Sequence, residues 1–416
     1  MNNSKQPRNF SDVRMRGFTS RSTVTTVWQW IDQHSGWLDS ESVFLGNASG
    51  RVLADSITSQ VDVPGFRRAM MDGFAVQSAD TLGATPYNPL KLTITGEAFP
   101  GQPFLGHVQR GQTVRIMTGS PMPNGADAVL PAERTQTEAS HLLAQGEVPP
   151  QKHVGHRGED IPTGTCILER GRRLRPQDLG VLSSIGVGQV SVIRQPKIRL
   201  VITGNELVAS GTVPTGYTIA DANGPMLSAL VRRDGGVVVE HGLTPDTESS
   251  ILTAMQDDVD IVIVSGGSSV GLEDHAPRLL AQNGELAIHG VAMRPSSPTG
   301  MGRMDDRLVF LLPGNPVSCL CAYDFFAGRA IRTLAGGSLD WPYRQSTLPL
   351  RRKLVSQVGR VDYARVSIVD QAIDPLAISG ASLLSSTTRA DGFVIIPTDS
   401  EGYPPEHQTE VFLYDA

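Results

Sequence analysis

At 416 residues the chain is too long for one ordinary hydrophobic core and divides into several domains. Hydrophobic content of 39%, charged content of 19% and no apolar run near the ~18–20 residues of a membrane span describe a globular chain. A net charge of −6 gives no reason to expect nucleic acid or an anionic membrane as partner, so a phosphorylated ligand would need local cations or a bound metal. The opening MNNSKQPRNFSDVRMRGFTSR lacks the apolar core of a signal peptide and reads as a disordered tail, which makes the cytoplasm the default compartment. Three cysteines form no C-x-x-C pair; Cys319 and Cys321 point to different faces of a helix, and all three read as buried structural thiols.

Helical spacing begins at VTTVWQWIDQHS (24–35). From Val61 to Gly155 short apolar runs cut by Gly and Pro, such as LKLTITGEAF and TVRIMTG, predict a small β-rich module. PQDLGVLSSIGV then reads as a helix followed by a strand. From Gln195 the pattern alternates: KIRLVITGNEL strand, GPMLSALVRRDGG helix, VVVEHGL strand, TESSILTAMQDD helix, DIVIVSGGSSVG strand and PRLLAQNG helix. LAIHGVAM and RLVFLLPGNP are two more strands, and VSCLCAYDFFAGRAIRTLAG is one long helix. Near-continuous apolar strands alternating with helices predict a parallel sheet covered on both faces. Beyond Gly337 a C-terminal β-module follows, with STLPLRRKLV, VDYARVSIVD, LLSS and DGFVIIP as its strands.

Three loops follow strand ends in the α/β region: Thr203-Gly204-Asn205-Glu206, Ser265-Gly266-Gly267-Ser268-Ser269 and Pro313-Gly314-Asn315-Pro316. In an open parallel sheet those ends share one edge, where ligands bind. Glycine permits close backbone approach, hydroxyls and N–H groups hold phosphate oxygens, and the helix that starts before Ser318 adds an anion site. A single such loop is an ordinary turn; three on one edge predict an anionic, phosphorylated ligand. Carboxylates sit beside them: Glu206, Asp274 and Asp246, the last also readable as a helix N-cap. Acidic groups around a phosphate require a hard cation between them, and Mg²⁺ fits. Gly-Gly-Ser-Ser-Val-Gly lacks the Gly-Lys-Ser/Thr of a Walker loop, so NTP hydrolysis has no support. Asp72-Gly73 and Glu159-Asp160, taken alone, are turns.

Together DVPGFRRAMMDGFAV, RIMTGSPMPNGADAV, RGEDI, VITGNEL, VSGGSSVGLED and LPGNPVS, in this order, resemble the molybdopterin molybdotransferase family of bacterial MoeA and the gephyrin E domain. The resemblance spans roughly residues 22–416 and implies a multidomain α/β plus β protein. After the tail (1–21) come a discontinuous helical/β domain (22–58 and 156–195), an inserted β-rich domain (59–155), a molybdopterin-binding, doubly wound α/β domain (196–337) and a C-terminal β domain (338–416). It further implies a homodimer whose cleft is completed by the second subunit. The implied reaction takes adenylylated molybdopterin (molybdopterin-AMP) and molybdate, forms molybdenum cofactor and releases AMP with Mg²⁺. The upstream adenylyltransferase is an implied partner.

Carried over by position, Asp72, Asp160, Glu206, Asp246 and Asp274 form the acidic cluster. Asp274 and Asp246 would place Mg²⁺ and nucleotide, while Glu206 and Asp160 would protonate departing oxo ligands or orient water. Thr118 and Gly119, the three loops above and Ser318 would contact substrate. The chain departs from the family in reading Arg294-Pro295-Ser296-Ser297-Pro298 where Lys-Pro-Gly-Lys-Pro is usual, with Gly290 at a further lysine position, His275 for a common Tyr and Ala69 for a common Ser. Arg294 keeps a cation with planar donors, and Ser297 is neutral. Ser296 and Ser297 offer hydroxyls. Arg360 matches a family arginine and either restores part of the charge or is a solvated β-module side chain. Two other readings stand beside molybdate insertion: a non-catalytic molybdopterin carrier or scaffold, and a pterin adenylyltransferase. Molybdate and tungstate are not distinguished.

Overall fold

The N-terminal helix α1 (Val24–His34) starts where Thr23 Oγ1 accepts from the Thr26 amide, and it buries Val24, Val27 and Ile31 at helical spacing. The computed structural model describes residues 20–240, 242–267, 275–377, 380 and 382–414. The chain forms two units, one of residues 42–49 and 53–190 and one of the remainder.

The first of these is built on a six-stranded sheet. Its strands are β1 (Gly73–Val76), β2 (Leu90–Ala98), β3 (Gln112–Ile116), β4 (Ala128–Pro131), β5 (Thr135–Glu138) and β6 (His141–Ala144), in the order β4-β1-β3-β2-β6-β5. Period-two alternation fills both faces: Ala75, Val114, Ile116 and Val129 on one, Phe74, Val76, Leu130 and Leu142 on the other. Helix α2 (Pro176–Ser184) is held at its start by a capping box, with Asp178 accepting from the Arg175 amide at 2.9 Å and from its guanidinium.

In the second unit the alternating pattern forms a doubly wound sheet. Strands β7 (Lys197–Thr203), β8 (Val237–Glu240) and β9 (Ile261–Ser265) alternate with α3 (Asn223–Arg233) and α4 (Glu248–Met255). Then come α5 (Ala276–Asn283), β10 (Glu285–His289), the short β11 (Met293–Arg294), β12 (Gly300–Met304) and β13 (Arg307–Leu312). The order β8-β7-β9-β13-β12-β10 is parallel through β13 and antiparallel thereafter. The expected all-parallel sheet is thus mixed: the predicted strand LAIHGVAM stops at His289, and the glycine-rich GMGRM forms a strand in a hairpin with β13. Ile198, Leu200, Ile261, Ile263, Leu308 and Phe310 enter one core, while Val201, Val262, Val264, Val309 and Leu311 enter another with α4 and α5. Both faces are buried, which is why these strands read as continuous apolar runs.

The predicted long helix after β13 is interrupted. Helix α6 (Pro316–Ala322) passes through a π turn (Tyr323–Ala327) into α7 (Gly328–Leu334). Trp28 of α1 donates its indole N–H to the Phe325 carbonyl inside that turn at 2.8 Å. The helix is buried on all sides because a C-terminal sheet closes the same core through Tyr363, Phe393 and Phe412. That sheet contains β14 (Arg344–Pro349), β15 (Val361–Val369), β16 (Ala372–Ala377), β17 (Gly392–Ile396) and β18 (Gln408–Leu413), with β11 as its edge beside β15. LLSS, predicted as a strand, leads instead into a single helical turn, Ser385–Thr388. β16 and β18 supply the pairing the prediction lacked. Cys319 and Cys321 are buried as expected; Cys166 is exposed, at the start of a three-residue strand.

Candidate functional site

The parallel register Ile202↔Ser265 and Ser265↔Leu312 brings the ends of β7, β9 and β13 level, so the three predicted loops share one edge. Their packing is backbone-tight. Gly266 has φ +101°, and a Cβ there would stand 2.1 Å from the Thr203 carbonyl oxygen. Gly314 lies against Gly266 in turn.

Asn223, a residue the sequence reading passed over, ties two of these loops together. At the start of α3 its Nδ2 donates to Ser265 Oγ at 2.9 Å and to the Gly314 carbonyl at 2.8 Å. Its Oδ1 is buried with no hydrogen-bond partner among the described residues. The signal was present in ADANG: a polar Asx pair opening the helix after the first strand falls on the same edge.

Thr203 Oγ1 donates to Asp246 Oδ1 at 2.9 Å. The N-cap of α4 is Thr247, which accepts from the Ser250 amide, so Asp246 is released from the capping role its position allowed. Gly204, Asn205 and Glu206 form a turn closed by the Leu207 amide, with the Glu206 side chain exposed and folded back toward Gly204. Asn315 caps α6 through its carbonyl, which accepts from Cys319 N, and Pro316 opens the helix. Burial pushes the Cys319 thiol up to about 12, so it is a packing group and no nucleophile. Ser269 and Asp274 lie outside the described residues. Among the described residues no group of three His, Cys, Asp or Glu is placed to hold a metal.

Beside this edge lies a cavity of about 790 Å³ for which Pro313, Gly314, Asn315 and Ser318 form a common wall. Its only charged described lining residues are Arg21, Arg294 and Arg360. β11 and β15 run parallel with Arg294 opposite Asp362, which brings their side chains together. Asp362, fully buried, takes Arg294 Nη2 on one oxygen at 2.6 Å and faces Arg360 Nε with the other at 3.1 Å. Arg360 therefore belongs to the cavity and is no solvated β-module side chain. Ser296 is held with φ +86°, and its hydroxyl donates to the Ser318 carbonyl at 2.5 Å, so its proton is committed inside the fold. Ser297 Oγ accepts from Arg21 Nε at 2.8 Å. The sequence reading left Arg21 in the tail.

In the other unit Asp72 and Thr118 meet. Asp72 Oδ1 accepts from the Thr118 amide and hydroxyl, both at 2.7 Å, and those donors hold its carboxyl below the usual carboxylate range. Gly119 follows in a left-handed conformation with its amide on the Ala69 carbonyl. Asp160 is exposed beside Glu159, which accepts from the His156 amide and Arg68.

Residues 22–186 match the MoeA N-terminal region (domain I and II), 199–333 a probable molybdopterin binding domain, and 347–413 the MoeA C-terminal region (domain IV). The chain is 32% identical over 370 residues to molybdopterin molybdenumtransferase 2 of Mycobacterium tuberculosis, across 86% of this chain and 91% of that one. It belongs to the molybdopterin molybdenumtransferase (MoeA) family. A second family member, the molybdopterin molybdenumtransferase of Haemophilus influenzae, is 31% identical over 86% of this chain and 89% of its own. The solved MoeA protein of Pyrococcus horikoshii OT3 superposes with a TM-score of 0.78 at 29% identity, covering 95% of this chain and 100% of that chain. The family's α/β and C-terminal regions thus coincide with the sheets that carry the loop edge and the arginine cavity.

Proposed function

We propose that this chain is a molybdopterin molybdenumtransferase that inserts molybdate into adenylylated molybdopterin and releases AMP, the last step of molybdenum cofactor synthesis. The observation that carries this reading is the shared wall Pro313–Ser318: a glycine-lined strand edge suited to phosphate on one side, an arginine cavity with no acidic described lining residue on the other. Two anions can lie side by side there, which is what the reaction needs. The nucleotide phosphates rest on the Gly266 and Gly314 backbone, with Asn223 holding the two loops at fixed separation. The oxyanion faces Arg294 and Arg360, whose planar donors suit tetrahedral oxygens. As dithiolene sulfurs replace oxo groups, the oxygens leave as water after protonation, a task for Glu206 and Asp160.

Asp246 and Asp274 are the carboxylates that would hold Mg²⁺ in this reading. Asp246 is a half-buried carboxylate beside a phosphate edge, and with Asp274 it would hold the ion, which would screen the carboxylates from the phosphoanhydride. The four-domain division given above, a homodimer with Asp72 supplied by the second subunit, receipt of substrate from the upstream adenylyltransferase and a cytoplasmic location belong to the same reading. Support comes from family membership, from three matched regions in family order, and from the described residues, where no helix is long and apolar enough to cross a membrane.

The test incubates purified protein with adenylylated molybdopterin, Mg²⁺ and molybdate, and measures AMP release and reconstitution of a cofactor-free molybdoenzyme. Molybdate-dependent release of AMP is expected; a parallel series with tungstate reads the anion preference. Tight pterin binding without molybdate-dependent AMP release would replace the transferase with a carrier, and adenylylation of free molybdopterin would replace it with an adenylyltransferase.

A further inference from the structure

We propose that Ser22 is a positioning residue for molybdate use: its backbone, carried by helix α1, straps down the segment that presents Arg294. The inference rests on the transferase reading above and adds the N-terminal segment to it.

The segment that leads into Arg294 is held twice over. Ser22 donates its amide to the Gly290 carbonyl at 3.0 Å and accepts from the Ala292 amide at 2.8 Å, a parallel bridge centred on Val291. The Val361 amide in turn donates to the Ala292 carbonyl at 2.9 Å. Val361 follows Arg360, and Ala292 stands two residues before Arg294. Ala292 therefore links three pieces of chain: the N-terminal segment, the strand of Arg294 and the strand beside Arg360. The strap also closes a strained turn. Val291, at the centre of the bridge, donates its amide to the Ser297 carbonyl at 2.9 Å. Inside that turn Ser296 is buried at φ +86°, a conformation that a side chain keeps only where its surroundings enforce it.

The strap is anchored by α1. Thr23, the next residue, caps that helix, which buries Val24, Val27 and Ile31. Asp32 accepts from Nε and Nη2 of Arg329, both at 2.8 Å, and the same guanidinium lies 5.4 Å over the Trp28 ring. The Trp28 indole N–H completes the anchor on the Phe325 carbonyl. A helix seated in this way delivers Ser22 to the Gly290 and Ala292 backbone at a fixed position, and the arginine spacing that an oxyanion meets follows from it.

A Ser22 that only pins the N-terminal segment would change stability and leave the molybdate requirement alone. The experiment therefore reads that requirement. Full-length wild type, Ser22→Pro, Ser22→Ala, Trp28→Phe and Leu280→Ala are compared by the molybdate dependence of AMP release from adenylylated molybdopterin, and by equilibrium dialysis with radiolabelled molybdate alone. Proline removes the amide that serves Gly290, and alanine keeps it. Phenylalanine removes the indole donor of the anchor. Leu280→Ala is a core lesion in α5, in a cluster that α1 does not enter.

Ser22→Pro should raise the molybdate concentration for half-maximal AMP release about tenfold, with the maximal rate and pterin-nucleotide affinity within about twofold of wild type. Ser22→Ala should recover most of that loss, and Trp28→Phe should give a smaller shift in the same direction. Leu280→Ala should lower the denaturation midpoint without moving the molybdate requirement. Should Ser22→Pro fail to fold, Trp28→Phe set against Leu280→Ala decides the matter on the same readouts. A Ser22→Ala as impaired as Ser22→Pro would overturn the backbone assignment. If Ser22→Pro and Trp28→Phe use molybdate as the wild type does, or Leu280→Ala shifts the requirement as far as they do, the strap is wrong and the transferase reading stands. If the wild type itself neither binds molybdate nor uses it, both fall.

Discussion

Asp362 is one negative charge serving two arginines, and that ratio governs the cavity. It is fully buried, and Ser356 adds a hydroxyl on the oxygen facing Arg294. Replacing it with Asn would remove the negative charge between two guanidinium groups and turn an amide N–H₂ donor toward one of them. Losing a partner from a buried ion pair is strongly destabilising, but both arginines are about one third exposed and water recovers part of the loss. Asp362→Asn should therefore cost about 2 kcal/mol in a denaturant titration and weaken molybdate binding despite the added positive charge. An unchanged unfolding midpoint would show that the carboxylate is dispensable. Ser296 makes the same point on a smaller scale. It reads as a hydroxyl donor for the anion, yet its hydroxyl serves the Ser318 carbonyl. A side chain's chemistry is visible in sequence; the direction in which its proton is committed is not.

Among the elements, the level strand ends at the loop edge follow from alternating apolar strands and helices, which is why that edge is legible in the sequence. Gly266 is its tightest point. A methyl group there would meet the Thr203 carbonyl in a backbone conformation that disfavours side chains. Gly266→Ala should cost at least about 2 kcal/mol and abolish pterin-nucleotide binding, checked by denaturation and by ligand titration. What escaped the sequence was long-range partnership. Asn223 reaches residues 42 and 91 positions away, and Arg21 reaches one 276 away, so no local pattern announces either contact.

The other unit offers a pH test. Asp178 caps α2, and hydrogen bonds from Arg175 hold its carboxyl far below the usual carboxylate range. With the folded value depressed, its stabilisation is complete above the unfolded value and is lost as pH falls through the folded one. Asp178→Asn should thus lower stability by about 1–2 kcal/mol at neutral pH, and the gap from wild type should narrow by pH 3. A gap of constant size would mean that the ionised carboxylate is not what stabilises α2.

For the whole molecule, the homodimer reading predicts complementation. Asp72→Asn and Arg294→Ala variants, each inactive alone, should recover about a quarter of wild-type AMP release when co-expressed, because half of the dimers are mixed and each has one intact site. Sedimentation should give twice the chain mass, and failure of the mixed sample to regain activity would place both residues in the same protomer's site. The π turn within the buried helix carries a last consequence. One extra residue in a turn rotates everything downstream by about 100°. Here Phe325 lies in that turn, in edge contact with Trp341, which packs in turn on Phe393 of the C-terminal sheet. The helix thus shares an aromatic cluster with the C-terminal sheet, the sheet in which β15 pairs with β11. An inserted or deleted residue in that turn, remote from Ser318 at the cavity wall, should displace the aromatic cluster and be read as a change in anion affinity.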